Sequence, residues 1–334
     1  MADTPYKSDL TRNWWTGTQA DLDAHIELYR NEIDQSFQMQ SMFKAMGLSE
    51  VVSVEGKSNT YRIDRLGGAT VKGRKSGEDP ESQRAINEKH LISVDTTLYN
   101  RHSFDYNDDW TAPSIVSNVA TEQGIAHAKA YDQAHIIQLI KAGGWKAPTS
   151  LKDSGSFYDG ILRTMSGFTG ASDDEERADL IFRESKLAIS DLVKRDLGSG
   201  LNEFLFLISP DWYAILLEHE RLTQQAFQAD SGTNDMVERR IAKLHGIPVV
   251  ETPRLTGNAI TNHPLGPEFN LTANEAKGQL ILFHPRYTLV TVEAHGLRSF
   301  HWDDPKHYSH HLDTFTMFNV GLRRGDATAV IASN

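Results

Sequence analysis

The ten residues Lys72-Gly73-Arg74-Lys75-Ser76-Gly77-Glu78-Asp79-Pro80-Glu81 give a fold nothing apolar to bury, and they lie between two stretches of alternating polarity. Asn59 to Asp64 alternates before Gly67-Gly68 breaks the run, and Ile86 to Leu98 alternates again through Ile92, Val94 and Thr96. A period of two marks a strand, because successive side chains point to opposite faces. Residues 58–98 therefore read as one long two-stranded hairpin with a charged tip. Such a ribbon is marginal in water, since it buries too little apolar surface to offset the chain entropy lost on ordering it. The expectation is that a neighbouring subunit supplies its second face. The tip carries Lys72, Arg74 and Lys75 on its first limb and Glu78, Asp79 and Glu81 around its turn. These charges either pair within the tip or complement charges on a neighbour and set the register between subunits.

Elsewhere the period changes. Leu22, Ile26, Tyr29, Ile33 and Phe37 recur every three or four residues, which predicts a helix within residues 19–46 that Gly47 ends. A polar tail bearing Trp14 and Trp15 precedes it. Pro113 suits a first helical position, and Ile115, Val119, Ala126, Ala130, Ala134 and Ile137 follow at helical spacing until Gly143-Gly144. A helix over 113–142 is far longer than the usual ~11–12 residues. Its alanines let other elements approach closely, as a structural beam requires. Ser172-Asp173-Asp174-Glu175 has capping-box spacing and opens a second helix that reaches about Leu197. Phe204 to Ile208 reads as a buried strand, Ser209-Pro210 caps a helix with Tyr213, Leu216 and Leu217 on its apolar face, and Ile247 to Glu251 is a strand closed by Pro253. Strand, helix and strand in that order indicate a small α+β unit over residues 201–286. The remainder is mostly extended, with strands near Thr288–Glu293, Thr314–Gly321 and Ala327–Ala332.

Several function classes are disfavoured at once. Cysteine is absent, so disulfides, thiolate nucleophiles and Cys-ligated metals are excluded and a reducing compartment fits. The first residues lack the basic start and apolar stretch of a signal peptide, and no window approaches the ~18 apolar residues of a membrane span, so neither export nor membrane insertion is expected. With 45 acidic against 34 basic residues the formal charge is -11, a sign that repels phosphate backbones. Gly56-Lys57-Ser58 ends like a phosphate-binding loop, but Val51 stands where that loop needs glycine and a strand follows instead of a helix. His219-Glu220 lacks its second histidine, Thr223 standing in that place, and there is no Gly-x-Ser-x-Gly elbow. The richest constellation is His301, Asp303, Asp304, His307, His310, His311 and Asp313. Imidazoles and carboxylates are zinc or iron ligands, yet no fixed helical spacing joins them and Pro305 interrupts the run. A polar surface loop is the expected reading, with no metal and no cofactor. A metal-dependent hydrolase using His301, His307, His310 and Asp313 is the distant alternative.

The order of elements, an N-terminal arm, a long charged hairpin, a long helix, a strand-helix-strand unit and a returning C-terminal sheet, resembles the α+β Hong Kong 97 (HK97-like) fold of tailed-bacteriophage capsids. Tyr61 to Thr70 leading into Lys72 to Glu81, Asn87 to Asp109, Glu122 to Ala142, Phe206 to Leu216 and Gly246-Ile247-Pro248-Val249-Val250-Glu251-Thr252-Pro253 are similar to the major capsid proteins of T-seven-like podoviruses. The resemblance implies an arm over residues 1–50, an E-loop over 58–98, a P domain over 99–200 with spine helix 113–142 and completed by strands within 287–334, and an A domain over 201–286. It implies a non-enzymatic subunit that self-assembles into hexamers and pentamers of an icosahedral shell enclosing the phage double-stranded DNA. The implied partners are further copies of the chain, a scaffolding protein, a portal protein, a cement protein where one exists, and packaged DNA bound without sequence preference. Assembly in the host bacterial cytoplasm and residence in the virion capsid follow, with no membrane involved. An encapsulin-like nanocompartment shell is the nearer alternative.

Overall fold

A computed structural model describes residues 33, 37, 40–56, 58–80, 82–106, 113–197, 203–223, 234–235, 240–255 and 257–334. Trp14, Trp15, Leu22, Ile26 and Tyr29 lie outside these residues, whereas Ile33 and Phe37 are helical and buried. The strands in chain order are β1 (Glu50–Ser53), β2 (Thr60–Leu66), β3 (Asn87–Ser93), β4 (Leu98–Asp105), β5 (Ile161–Met165), β6 (Leu205–Ile208) and β7 (Asn234–Asp235). They continue with β8 (Arg240–Ile241), β9 (Lys243–Leu244), β10 (Ile247–Glu251), β11 (Gly278–Phe283), β12 (Leu289–Asp304), β13 (Ser309–Leu322) and β14 (Thr328–Ser333).

The beam expected from the alanine-rich stretch is a helix from Pro113 to Gly143. Ala120, Ala128, Ala134 and Ala142 are fully buried along it, so neighbours do come close. It contributes Tyr131, Ile136, Ile137, Leu139 and Ile140 to a core shared with Leu207, Ile281 and Val330 on one side and Leu289, Phe318 and Val320 on the other. Those two groups belong to two sheets. One has four strands in the order β1-β12-β13-β4, the other six in the order β5-β14-β11-β6-β10-β9. A helix that must bury more than one face needs apolar residues all round, which is why this one lacks a single stripe. On the other face of the six-stranded sheet, Phe206, Ile208, Leu280, Leu282 and Ile331 pack on Ile181, Ala188 and Leu192 of helix Asp174–Lys194 and on Trp212 and Leu216 of helix Pro210–Leu217.

Strand β14 pairs antiparallel with β11 and parallel with β5, inside the sheet built around residues 201–286, and two expectations need correction beside it. The sequence Thr-Ala-Val-Ile-Ala-Ser of β14 is buried on both faces, and only a strand inside a covered sheet meets that requirement. Strands β12 and β13 span 16 and 14 residues, well beyond the expected Thr288–Glu293 and Thr314–Gly321. Register shifts between Glu293 and Arg298 break the alternation there and hide the continuation. At the helix Asp174–Lys194 it is Glu176, not Glu175, whose carboxylate accepts from the Ser172 backbone N–H, at 3.2 Å.

The hairpin forms as read, β2 pairing antiparallel with β3 in a separate two-stranded sheet, but its inner face is covered by its own chain. Ile63 and Ile92 pack with Val290 and Val292 of β12. Gly321 sits so close beneath that a Cβ there would lie 2.2 Å from Ile92 Cδ1. Arg65 donates from Nε and Nη2 to the carbonyls of Arg323 and Leu322 at 3.0 and 2.7 Å, and Asn319 Nδ2 donates to the Ser93 carbonyl at 2.6 Å. What a neighbour could still cover is the outer face and the tip.

Candidate assembly surface

Strand parity decides what the ribbon shows to the outside. Arg62 stands opposite Leu91 and Leu66 opposite Asn87, all on the face away from the body. Leu66 and Leu91 are 62% and 65% exposed, and Val71 at the start of the tip is fully exposed. Every residue from Gly68 to Pro80 is exposed. The limbs are closed beneath the tip by Gly67 N–H donating to the Ile86 carbonyl at 2.8 Å and by Thr70 donating to Gln83 Oε1.

Lys72, Arg74, Lys75, Glu78 and Asp79 all lie on this tip, and Glu81 falls outside the described residues. Glu78 is turned onto its own limb. Its Oε2 accepts from the Lys75 backbone N–H at 3.0 Å, while its own N–H donates to the Lys75 carbonyl at 3.2 Å, with Gly77 at φ 92° making the turn. A positive φ suits glycine, so this position fixes the turn chemistry. Arg74, Lys75 and Asp79 are exposed beside it, where an intramolecular pair is worth little and a partner's charge is within reach.

A second exposed surface escaped the sequence reading. On the outer face of β4, β12 and β13, Tyr99, Phe300 and Trp302 are 78%, 53% and 41% exposed. Phe300 stacks on Phe315 at 5.3 Å and Trp302 on His311 at 4.2 Å between ring centroids. Arg101 grips Asp313 with two hydrogen bonds of 2.7 and 2.6 Å while its guanidinium lies 5.7 Å from the Trp302 ring. Burial pushes the Asp313 carboxyl up, but the hydrogen bonds from Arg101 and Trp302 outweigh it and hold the group below the usual carboxylate range. The available signal was Phe300 and Trp302 two positions apart, which one strand places on one face; reading the stretch as a loop concealed it.

The histidine-rich stretch is likewise strand, not loop. His301 and Asp303 sit on β12, and His310 on β13 stands directly opposite Asp303. His307, in the turn, hydrogen-bonds Asp304 at 2.6 Å, and Asp313 points to the opposite face toward Arg101. The four residues of the hydrolase alternative are therefore not gathered at one point. Among the described residues no helix is long and apolar enough to cross a membrane.

Behind these surfaces the N-terminal arm is fastened to the long helix. Asp132 accepts from Ser41 Oγ at 2.7 Å and from the backbone N–H groups of Met42 and Phe43 at 2.9 and 3.2 Å. Burial pushes the Asp132 carboxyl up despite these donors. One turn on, His135 places Nδ1 2.7 Å from the Tyr131 carbonyl and Nε2 2.7 Å from Thr291 Oγ1 on β12, and burial pushes its imidazole down to about 3. The carbonyl can only accept, so Nδ1 carries the proton of a neutral ring.

Comparison with solved structures places this arrangement. The mature capsid of bacteriophage PhiM1 is similar at 37% sequence identity and a TM-score of 0.79, over 100% of this chain and 99% of that one. The capsid of cyanophage P-SCSP1u is similar at 15% identity and a TM-score of 0.68, over 86% of each chain. A virus-like particle from Pyrococcus furiosus is similar at 13% identity and a TM-score of 0.52, over 91% of this chain and 98% of that one. The last two are likenesses of fold alone. No protein-family model and no curated protein sequence matches the chain.

Proposed function

This chain belongs to the HK97-like major capsid proteins of tailed bacteriophages, a structural subunit of a virion shell whose partners are copies of itself, and from that premise we propose how its contacts close the shell. The observation that carries the reading is the half-covered ribbon. Its inner face is satisfied by β12 and β13, while Leu66, Leu91, Val71 and the charged tip are left to solvent. In the assembled shell the tip residues Lys72, Arg74, Lys75, Glu78, Asp79 and Glu81 lie over an adjacent subunit, and opposite charges there set the register. Hexamers and pentamers build the shell with a scaffolding protein and a portal protein guiding closure in the host cytoplasm, and double-stranded DNA enters it afterwards, as in T-seven-like podoviruses. The arm over 1–50, E-loop over 58–98, P domain over 99–200 with strands within 287–334, and A domain over 201–286 are its working divisions, with β5 and β14 bridging the last two. The role is one of geometry, not catalysis. Many contacts, each burying on the order of 1,000 Å² or more, sum through closure.

Negative-stain electron microscopy of the purified protein is expected to show closed shells, and the variant E78K/D79K/E81K is expected to give soluble subunits that build none. Normal shells from that variant would falsify the interlocking tip. Wild-type chains that stay monomeric under every assembly condition would remove the larger reading. An encapsulin-like compartment rests only on the fold likeness to the Pyrococcus particle; DNA inside shells from infected cells separates the two.

A further inference from the structure

The far end of the β12–β13 arm brings together three groups that the sequence scatters. His301 and Asp303 are two apart on β12, so a strand points both to one face, and Asp303 is the direct cross-strand partner of His310 on β13. One ligand atom from each of the three lies within 4.8 Å of the others. The two imidazole rings are 5.4 Å apart between centroids, and His310 Nδ1 already contacts Asp303 Oδ1. The Tyr106 ring covers His310 from one side at 4.4 Å, which holds that imidazole in place, while Asp303 is exposed.

We infer that His301, Asp303 and His310 form a binding site for a divalent transition-metal ion of the zinc class, clipping β12 to β13 at the end of the arm. Two neutral imidazoles and one carboxylate match the ligand preference of Zn²⁺, which takes nitrogen and oxygen at about 2.0–2.2 Å. Ligand atoms around such an ion sit about 3.3 Å apart, so the three groups need only small rotations about their side-chain torsions. The ion takes the place of the hydrogen bond between His310 and Asp303, the neutral imidazole keeping its one ring proton on the nitrogen that does not face the ion. The side exposed at Asp303 leaves the fourth position to water. Because the ligands stand on paired strands instead of a loop, the backbone already holds their spacing. The clip joins residues on both sides of the Pro305–Tyr308 turn and so fixes the end of the β12–β13 arm, independently of what the ribbon tip touches.

The test is calorimetric titration of the chelator-treated, full-length protein with Zn²⁺ alone, repeated with Co²⁺ to read the visible absorption of a bound ion. About one ion per chain is expected, with H301A and H310A each weakening binding at least about tenfold and abolishing the Co²⁺ band. H307A, outside the trio and bonded to Asp304, is expected to bind as wild type. Should a histidine variant fold poorly, D303N, which keeps the shape of an exposed side chain, is expected to show the same weakening. Occupancy well below one ion per chain, unchanged binding by D303N, or loss of binding in H307A alone would overturn the site. Shell formation is scored separately, so failure here leaves the capsid reading untouched.

Discussion

Two antiparallel ribbons divide the labour of this molecule, and they are held in different ways. Strands β12 and β13 are flanked by β1 along Val290–Glu293 and by β4 along Ser309–Thr316, so a stretch of each outer edge is paired within the chain. Among the described residues no strand pairs with the outer edges of β2 and β3, and the two hold to the body by one face, through Ile63, Ile92, Arg65 and Ser93. A ribbon secured at its edges can carry histidines, carboxylates and exposed aromatics along its length, because its stability does not depend on any one face. A ribbon secured by a single face must keep that face apolar, and whatever it shows outward is free to meet a partner. Here that outward face carries Leu66 and Leu91.

The largest expected effect tests how firmly the edge-paired ribbon is seated on the long helix. Burial holds the His135 imidazole at about 3, below its ordinary value near 6.5, so the unfolded chain binds the proton first. Stability from this group is fully present above about 6.5 and is lost as pH falls toward about 3. Urea midpoints measured from pH 7 down to 4 should fall more steeply for wild type than for H135Q; parallel curves would refute the buried neutral ring. Next in size, I63A and I92A empty the inner face of the other ribbon, each at a cost of about 2–5 kcal/mol to its docking. Hydrogen exchange should rise across residues 60–93 while β12 and β13 stay protected. Equal loosening of both ribbons would erase the contrast drawn between them. The smallest effect on the single chain is expected from L91S, within about 0.5 kcal/mol by denaturant unfolding because the side chain is exposed. Shell yield should nevertheless drop, and full yield would show that the outer face of the ribbon touches nothing.

Much of the site was legible before the fold was known. The charged tip, the two alternating limbs and their antiparallel pairing follow from period and punctuation, and the structure has them at Thr60–Leu66 and Asn87–Ser93. The aromatic face around Trp302 and the His301, Asp303 and His310 cluster were not legible, because a register shift near His295 interrupts the alternation that would have marked β12 as one strand. Asp132 gave no sign of its role either, since its donors lie 89 to 91 residues away in the chain.

The sequence alone determined the local elements: where the long helix begins at Pro113, where Gly47 and Gly143 stop helices, and which residues of the hairpin face the same way. Those choices are made by interactions a few residues apart, which spacing records. Only the tertiary structure decided that β14 and β5 join the six-stranded sheet, that the hairpin leans on β12, and that two histidines meet an aspartate at the end of the arm. Each of those outcomes depends on which apolar faces are left to cover once every element has formed, and that is settled by packing across the whole chain.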